Sequence, residues 1–533
     1  AATQAGAHAS AAKSYMELLK LTPQAMDVKV SLGLALVHAG RPDIARQRVT
    51  EWHADTPERA ELHYLSAAIA IDGADFDLAI QDATKALEHA PAMERAFAIR
   101  ALARFEKKEF KDALVDFESA NALAPNTPET MSNIGLCHQE LHDHDNAIKA
   151  FEACIVLNTS DVIATEQLAI ALEQKGDFEQ AKARYHDVLK LQPDNWAAIN
   201  QLVELTSEQD RPALEAHVNT ALRSAKRNTQ DEVLGTLALA NLLNAKGDWA
   251  KAAPVYQRSN DLQAKLSPYE SAKIDAQLGK TLSAFAQPYV LRTGGDTQSP
   301  TPVFVIGQPR SGTTLTEMVI SAHPDVVGLG EVEIETFIDQ SALAKTPASP
   351  ADLARIYRSE MPHPATGYRS FVDKMPSHYL FVGFLAEAFP TAKFVHVQRD
   401  PREVAVSMWK RHFLGGSAYN YASRMDWMAH AANTYQRYMV HWSMVFPDRI
   451  LHIHYRDLVQ DIESTSKALA DFCDLTWDAA MMHPEQNTTQ VRTSSITRVR
   501  KAPHKKSLGV WDKHGDLLEP FIAALDRTLW PDI

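Results

Sequence analysis

Prolines fall at Pro23, Pro57, Pro91 and Pro125, each 34 residues after the last. Pro193 stands two such steps further on, with Thr159 at the intervening position. Alanines keep the same step, at Ala11, Ala45, Ala79, Ala113, Ala147 and Ala181. A third column holds only small residues: Gly33, Ala67, Ala101, Gly135 and Ala169. Three columns in one register leave little freedom. One supersecondary unit is repeated, and each copy buries its apolar face against the next.

Period and residue types resemble the tetratricopeptide repeat, in which each unit is two antiparallel helices. The small residue of the first helix lets the second approach closely. The alanine follows turns such as Lys175-Gly176-Asp177-Phe178 and sits where helices cross. Proline closes the second helix, because it lacks an N–H and disfavours helix in the residue before it. The register loosens after Pro193, so that Glu204 to Lys226 reads as a degenerate unit. Lys246-Gly247-Asp248-Trp249 through Ala252 restores it, and Tyr269 to Gln287 reads as a closing helix. Ala11 belongs to a second helix whose partner would lie upstream, and the chain does not begin with Met. Both features lead us to expect an upstream segment that has been removed. An array of this kind is a curved solenoid whose concave face captures a peptide or protein, or supports self-association as a homo-oligomer. Phe76, Phe110, Phe151 and Phe178 are expected to fill its core, and Cys137 and Cys154 to be buried with them.

At 533 residues the chain is too long for one domain. The stretch Thr293-Gly294-Gly295-Asp296-Thr297-Gln298-Ser299-Pro300 offers turn formers and nothing apolar to bury. It divides the chain into a repeat solenoid over 1–265, a closing helix and linker over 266–300, and a second domain over 301–533. Net charge is −13, which disfavours nonspecific nucleic-acid binding. No apolar run is long enough to span a membrane. The three cysteines are widely scattered, leave one unpaired in any disulfide scheme, and imply a reducing, cytoplasmic setting. The 22 histidines form no compact ligand cluster, so no metal site is expected.

The second domain opens on TPVFVIGQPRSGTTLTEMVISAHPDVVGLGE, Thr301 to Glu331. Val303-Phe304-Val305-Ile306 reads as a buried strand, a tight turn follows with Gly307 and Gly312, and Leu315, Met318, Val319 and Ile320 continue as a helix. A strand, a Gly-rich turn and a helix make a phosphate cradle. Backbone N–H groups close on the anion, and the helix N-terminus adds partial positive charge. The Walker pattern would place Lys where Thr313 stands, and the cation appears earlier, as Arg310. That disfavours ATP chemistry, in which the lysine reaches the β/γ-phosphates. The hexapeptide PRSGTT instead resembles the 5′-phosphosulfate loop of sulfotransferases that use 3′-phosphoadenosine 5′-phosphosulfate (PAPS).

A second stretch, KFVHVQRDPREVAVSMWKRHF, covers Lys393 to Phe413. A strand over Phe394–Val397 delivers Arg399 at its C-terminal end, and Asp400-Pro401 starts a helix. Ser407 and Arg411 are four apart and are expected on one helical face. Arg399, Ser407 and Arg411 together suit one phosphate. The competing reading pairs Arg399 and Arg402 with Asp400 and Glu403 on a solvated helix. The trio resembles the 3′-phosphate site of PAPS-dependent sulfotransferases, the tyrosylprotein sulfotransferase group above all. The resemblance also implies nucleotide contacts from Tyr455, which opens YRDLV after a strand over Ile450–His454, and from Ser495, Lys506 and Ser507, in a late basic segment ending at Gly509-Val510-Trp511.

The resemblance covers Val303 to Trp511 and implies an α + α/β chain. An N-terminal α-solenoid is fused, in bacterial fashion, to a P-loop-like α/β domain with a parallel sheet. It implies transfer of a sulfuryl group from PAPS, as co-substrate, to an acceptor hydroxyl, without a metal. The cofactor-binding set is Arg310, Ser311, Gly312, Thr313, Thr314, Arg399, Ser407, Arg411 and Tyr455, with Ser495, Lys506 and Ser507. The catalytic set is Glu331 as general base, Lys374 to polarise the bridging oxygen, and Arg310. Relatives carry a catalytic Glu in a Gly-Glu pair at nearly this distance. Here one extra residue precedes the pair and the chain reads GEVE, so Glu333 competes for the role. His323 reads as a capping or core residue. The array favours a peptide or protein acceptor, tyrosine in particular. Three alternatives stand beside it: a small-molecule, lipid or carbohydrate hydroxyl, a P-loop kinase, and a non-enzymatic repeat scaffold.

Overall fold

Helix starts in the first half keep the sequence period. The computed structural model describes residues 2–141, 143–332, 334, 348–361, 365–411, 417–487 and 508–533. It divides into two compact units, Ala1–Ser207 and Glu208–Ile533. The first unit holds α1 (Ala2–Leu21), α2 (Met26–His38), α3 (Pro42–Asp55), α4 (Ala60–Asp72), α5 (Phe76–His89), α6 (Glu94–Glu106), α7 (Phe110–Leu123), α8 (Pro128–Glu140), α9 (His144–Leu157), α10 (Val162–Lys175), α11 (Phe178–Leu191) and α12 (Trp196–Leu205). From α4 to α11 both helices of each pair begin 34 residues after their predecessors.

The three columns explain the packing. Ala45, Ala79, Ala113, Ala147 and Ala181 are all fully buried. A Cβ on Gly135 would lie 2.6 Å from the Phe151 ring, and one on Gly33 would strike Leu65, so each glycine is a point of close helix approach. Asp75, Asp143 and Asp177 cap their helices by accepting from Leu78 N, Asn146 N and Gln180 N. Phe151, Cys137 and Cys154 are buried as expected, whereas Phe76, Phe110 and Phe178 are only partly covered. The unit is a helical solenoid.

The second unit begins with α13 (Arg211–Ser224), α14 (Gln230–Ala245), α15 (Trp249–Leu266) and α16 (Ser271–Ala284). It continues through β1 (Thr301–Gly307), α17 (Thr313–Ile320), β2 (Val326–Gly330), α18 (Pro350–Ser359), β3 (Ser370–Asp373), α19 (Val382–Ala388), β4 (Lys393–Gln398), α20 (Pro401–Trp409), α21 (Met425–Val445), β5 (Ile450–His454), α22 (Tyr455–Gln460), α23 (Ile462–Phe472) and α24 (Gly515–Ala524). All strand pairs are parallel, in the order β2-β3-β1-β4-β5. Both faces are covered, as a parallel sheet requires. Alternate residues serve opposite cores. Phe304, Ile306, Phe371 and Phe394 pack with α16, α18, α19 and α21, while Val303, Val305, Val372 and Val395 pack with α17, α22 and α23.

Two contacts tie the segments before β1 to this sheet domain. Leu237 and Ala240 of α14, with Ala252 and Tyr256 of α15, share a core with Val404 and Trp409 of α20 and Phe521 of α24. The polar stretch 293–300 is bonded in as well. Asp296 N donates to Ala388 O at 2.7 Å, and Arg358 Nε donates to the Asp296 carboxylate. Among the described residues no helix is long and apolar enough to cross a membrane.

Candidate functional site: a Gly-rich turn, an arginine motif and a buried acid cluster

β1 is central and its C-terminal end releases the Gly-rich turn into α17. That is the crevice where ligands bind in open parallel sheets. The turn is tight for stated reasons. A Cβ on Gly307 would lie 2.7 Å from Val397 O and 2.8 Å from Ser311 Oγ. Gly312 adopts φ 109° as the N-cap of α17, and a Cβ there would strike the Tyr455 ring. Arg310 itself takes φ 68°, a left-handed conformation that costs a non-glycine residue. Ser311 is buried, and its hydroxyl has no hydrogen-bond partner among the described residues. Thr313 and Thr314 form the first turn of α17, the end at which a helix directs its N–H groups outward.

Arg310 reaches across to the second motif, where its Nε donates to Ser407 Oγ on α20 at 3.2 Å. Arg399, just past β4, donates from Nη1 to Arg310 O at 2.9 Å and from Nε to Glu403 Oε2 at 2.7 Å. Its guanidinium lies over the Tyr455 ring, 4.5 Å from the centroid. Arg402 pairs with Asp400 at 2.6 Å and stacks on Trp511 at 3.6 Å. Both ion pairs read as an alternative to anion binding are therefore present, but Glu403 is buried and Arg399 nearly so. Carboxylates hold these guanidiniums while leaving Arg399 beside the Gly-rich turn. Helix α20 ends at Trp409, and Arg411 follows the C-cap with its N–H donating to Met408 O. Ser407 lies in the helix and Arg411 one residue beyond its cap, so the two do not share a helical face; the Arg411 side chain is half-buried. A cavity of about 560 Å³ opens beside Arg399 and Tyr455, walled also by Pro401, His454 and Leu508.

On the other side of β1, Glu331 leaves the end of β2 and pairs with Lys374, at the end of β3. Lys374 is 1% exposed and Glu331 36%. The acid thus faces solvent, and its cation is sunk in the domain. Glu317 of α17 is also buried, its Oε1 accepting from Gly330 N at 2.9 Å. Burial pushes the Glu317 carboxyl up to about 7, against the pull of the Lys374 ammonium and the Gly330 N–H. Asp373 accepts from Tyr357 Oη at 2.8 Å and from Val332 N at 3.4 Å.

Sequence reasoning missed Glu317, Asp373 and a second support under the turn. The Gln308 backbone lies in hydrogen-bonding contact with the Tyr435 hydroxyl, which bonds in turn to His396. His396 meets His452 Nδ1 to Nδ1 at 2.7 Å, and burial holds it well below its ordinary value. A histidine inside an otherwise apolar strand was the available signal. His323 is buried in the packing, with Nε2 at 2.8 Å from Thr476 O. Ser495, Lys506, Ser507 and Glu333 lie outside the described residues. No group of three or more His, Cys, Asp or Glu suited to a metal occurs among the described residues.

Residues 302–479 match the model of the sulfotransferase family, and residues 69–288 match the Psidin N-terminal TPR repeats region. The chain is therefore a tetratricopeptide-repeat array joined to a sulfotransferase-family domain. Tyrosylprotein sulfotransferases are among its relatives. Protein-tyrosine sulfotransferase 1 of Danio rerio is 25% identical over 240 residues, covering 40% of this chain and 66% of that protein. The Drosophila melanogaster protein-tyrosine sulfotransferase is 24% identical over 228 residues, covering 38% and 43%. An uncharacterised protein of Aquifex aeolicus is 27% identical over 387 residues, covering 68% of this chain and 50% of its own. The chain thus spans 43–66% of these relatives' lengths. A solved structure described as the functional characterization of Pseudomonas aeruginosa pilF aligns at TM-score 0.35 and 20% identity, over 38% of this chain and 92% of its own.

Proposed function

We propose that the protein transfers the sulfuryl group of PAPS to a hydroxyl, with a peptide or protein tyrosine as the acceptor. The observation that carries this reading is the meeting of Arg310 with Ser407 at 3.2 Å, which joins two anion-binding motifs 97 residues apart. One anion site suits any phosphate ligand. Two on one crevice suit a nucleotide bearing separate 5′ and 3′ anions.

The residues present fit such a donor. Ser311 offers a buried hydroxyl without a partner among the described residues, and Gly307 and Gly312 leave no room for side chains where backbone must close on an anion. The donor supplies an activated sulfuryl group whose leaving group is a phosphate. Arg310, the turn amides and the α17 N-terminus hold the 5′ end, and Ser407, Arg399 and Arg411 take the 3′-phosphate. The cavity beside Arg399 and Tyr455 is of a size for the nucleoside. The acceptor oxygen forms its bond to sulfur, the bond from sulfur to the 5′-phosphate oxygen breaks, and the hydroxyl proton passes to Glu331. Lys374, paired with Glu331 at rest, turns to the bridging oxygen as charge develops there and so frees the carboxylate. The 1–265 repeat region, closed by 266–300, would present the acceptor to 301–533.

Turnover of labelled PAPS is to be measured with acidic tyrosine peptides, phenols and sugars. The peptide is expected to be sulfated. Turnover on small molecules alone would remove the tyrosine assignment and leave the small-molecule acceptor. Glu331→Gln is expected to keep 3′,5′-ADP binding, seen as a stabilisation of about 2.7 kcal/mol at 100 Kd, and to lose about 10²–10⁴ in turnover. Retained turnover would move the base to Glu333.

A further inference from the structure

Glu331 stands between two backbone positions that are each held by a buried carboxylate. Before it, Gly330 N donates to Glu317 Oε1 at 2.9 Å; after it, Val332 N donates to Asp373 Oδ1 at 3.4 Å. Glu317 is 2% exposed and Asp373 is fully buried. The Gly330 carbonyl is held as well, accepting from Lys374 N at 2.8 Å. Gly330 takes φ 72°, and the pairing of β2 with β3 shifts register between Gly328 and Gly330. The strand is therefore stopped and turned one residue before Glu331, and both polar groups of the turning residue are fixed.

Packing alone does not account for an acid at position 317. All eight residues of α17 are buried, and Glu317 is the only charged one. An apolar side chain there would avoid the cost of burying a carboxyl. The charged groups that face Glu317 are Lys374, Asp373 and Glu331. Its charge therefore meets the same ammonium that Glu331 binds. An ammonium flanked by two carboxylates is held less exclusively by either one.

We propose that Glu317 is a positioning residue for the transfer step: it fixes the Gly330 amide so that Glu331 stays within reach of Lys374, and it balances the Lys374 charge so that Lys374 can leave Glu331 for the donor. This rests on the sulfotransfer reading with Glu331 as base. Asp373 is the second half of the clamp, on the far side of Glu331. The Glu317 carboxyl, raised to about 7 by burial, would change charge within the working range and so mark the pH profile.

The test compares Glu317→Leu, which removes the acceptor, with Glu317→Gln, whose amide oxygen still accepts from Gly330. Glu317→Leu is expected to lower kcat about 100-fold, with KM for PAPS and Kd for 3′,5′-ADP within about threefold of the parent. Glu317→Gln is expected to recover kcat to within about tenfold and to erase the inflection near pH 7 from the kcat profile. The proposal is overturned if Glu317→Leu keeps its kcat, or loses nucleotide affinity in parallel with kcat. An unchanged pH profile in Glu317→Gln overturns it too, whether or not the leucine variant folds. If the parent turns over no PAPS, the sulfotransfer reading falls and the clamp is judged separately, by ¹³C NMR of the Glu317 carboxyl. A titration midpoint near 7 that rises by about one unit or more in Lys374→Met supports the clamp; a midpoint in the ordinary carboxylate range overturns it.

Discussion

Arg399 donates from Nη1 to the backbone carbonyl of Arg310 at 2.9 Å, so the guanidinium that follows β4 holds the main chain of the Gly-rich turn after β1. The bond falls on the residue of the turn that adopts φ 68°. Glu403 orients Arg399 from Nε, Tyr455 supports its flat face, and Glu403 Oε1 accepts in turn from Gly509 N. One planar cation thus makes three kinds of contact in fixed directions.

Because of that geometry, charge alone will not replace Arg399. Arg399→Ala is expected to weaken 3′,5′-ADP binding about 10–150-fold, the loss of a hydrogen bond to a charged group. Arg399→Lys should recover little of it, since an ammonium cannot bridge Arg310 and Glu403 while lying over Tyr455. Calorimetric titration reads both, and a lysine variant that binds like the parent would show that the fork is not needed.

Gly312 is where backbone, helix cap and Tyr455 meet. Gly312→Ala must adopt φ near 109° and displace the Tyr455 ring. Strain of this kind costs about 1–3 kcal/mol, and the ring it moves supports Arg399. The variant should melt earlier and lose most of the stabilisation that 3′,5′-ADP confers, measured by thermal melts with and without nucleotide. Gly330→Ala, also at positive φ but with open space around its Cβ, should lose melting temperature while keeping the nucleotide response.

The contrast between those two glycines shows what a sequence makes legible. The 34-residue period predicts the helix starts because the units meet the same local demands: a small residue at the crossing and, in most of them, a closing proline, with a capping Asp at α5, α9 and α11. The elements of the two motifs are legible for a similar reason, since a strand, a Gly-rich turn and a helix start are local chemistry. Glu317 and Asp373 are not, because their meaning comes from strand pairing. Asp373 sits beside Gly330 through the register of β2 with β3, and nothing near position 317 marks its acid as a partner for position 330. The fate of Arg399 and Arg402 was ambiguous for another reason. Ion pairing and anion binding read as rivals along the chain, yet in three dimensions the buried Glu403 and the partly covered Asp400 orient the same guanidiniums that line the cavity.

The repeat unit contains a buried carboxylate shared by two half-buried arginines, which makes a stability prediction. Asp116 on α7 accepts from Arg100 Nη2 at 2.7 Å, Arg100 Nε at 2.8 Å and Arg104 Nη1 at 2.7 Å, both arginines being on α6. Arg100 also donates to Thr84 Oγ1 of α5 at 3.2 Å. Asp116→Ala removes the shared anion and leaves two half-buried guanidiniums, a loss of about 3–5 kcal/mol. Hydrogen exchange should quicken in α6 and α7 while the amides of β1 and β4 keep their protection. Equal acceleration in both units would mean that the loss is not local.

Lys410, the C-cap of α20, lies against Trp249 at 4.6 Å from the ring centroid and 3.1 Å from His514 Nε2. Burial holds its ammonium down at about 8 instead of 10.5, and burial together with the Lys410 charge lowers His514 to about 4. A lysine depressed on folding binds fewer protons folded than unfolded between those two values, so its contribution to stability is present above 10.5 and is lost as pH falls through about 8. For His514 the corresponding loss begins below 6.5 and completes near 4. Lys410→Met keeps the volume and removes the titration. The stability of the parent relative to this variant should therefore be flat from pH 6.5 to 8 and then rise toward pH 10.5, measured by urea unfolding at a series of pH values. A difference that stays constant across the upper window would mean that the ammonium is as well solvated in the folded chain as in the unfolded one.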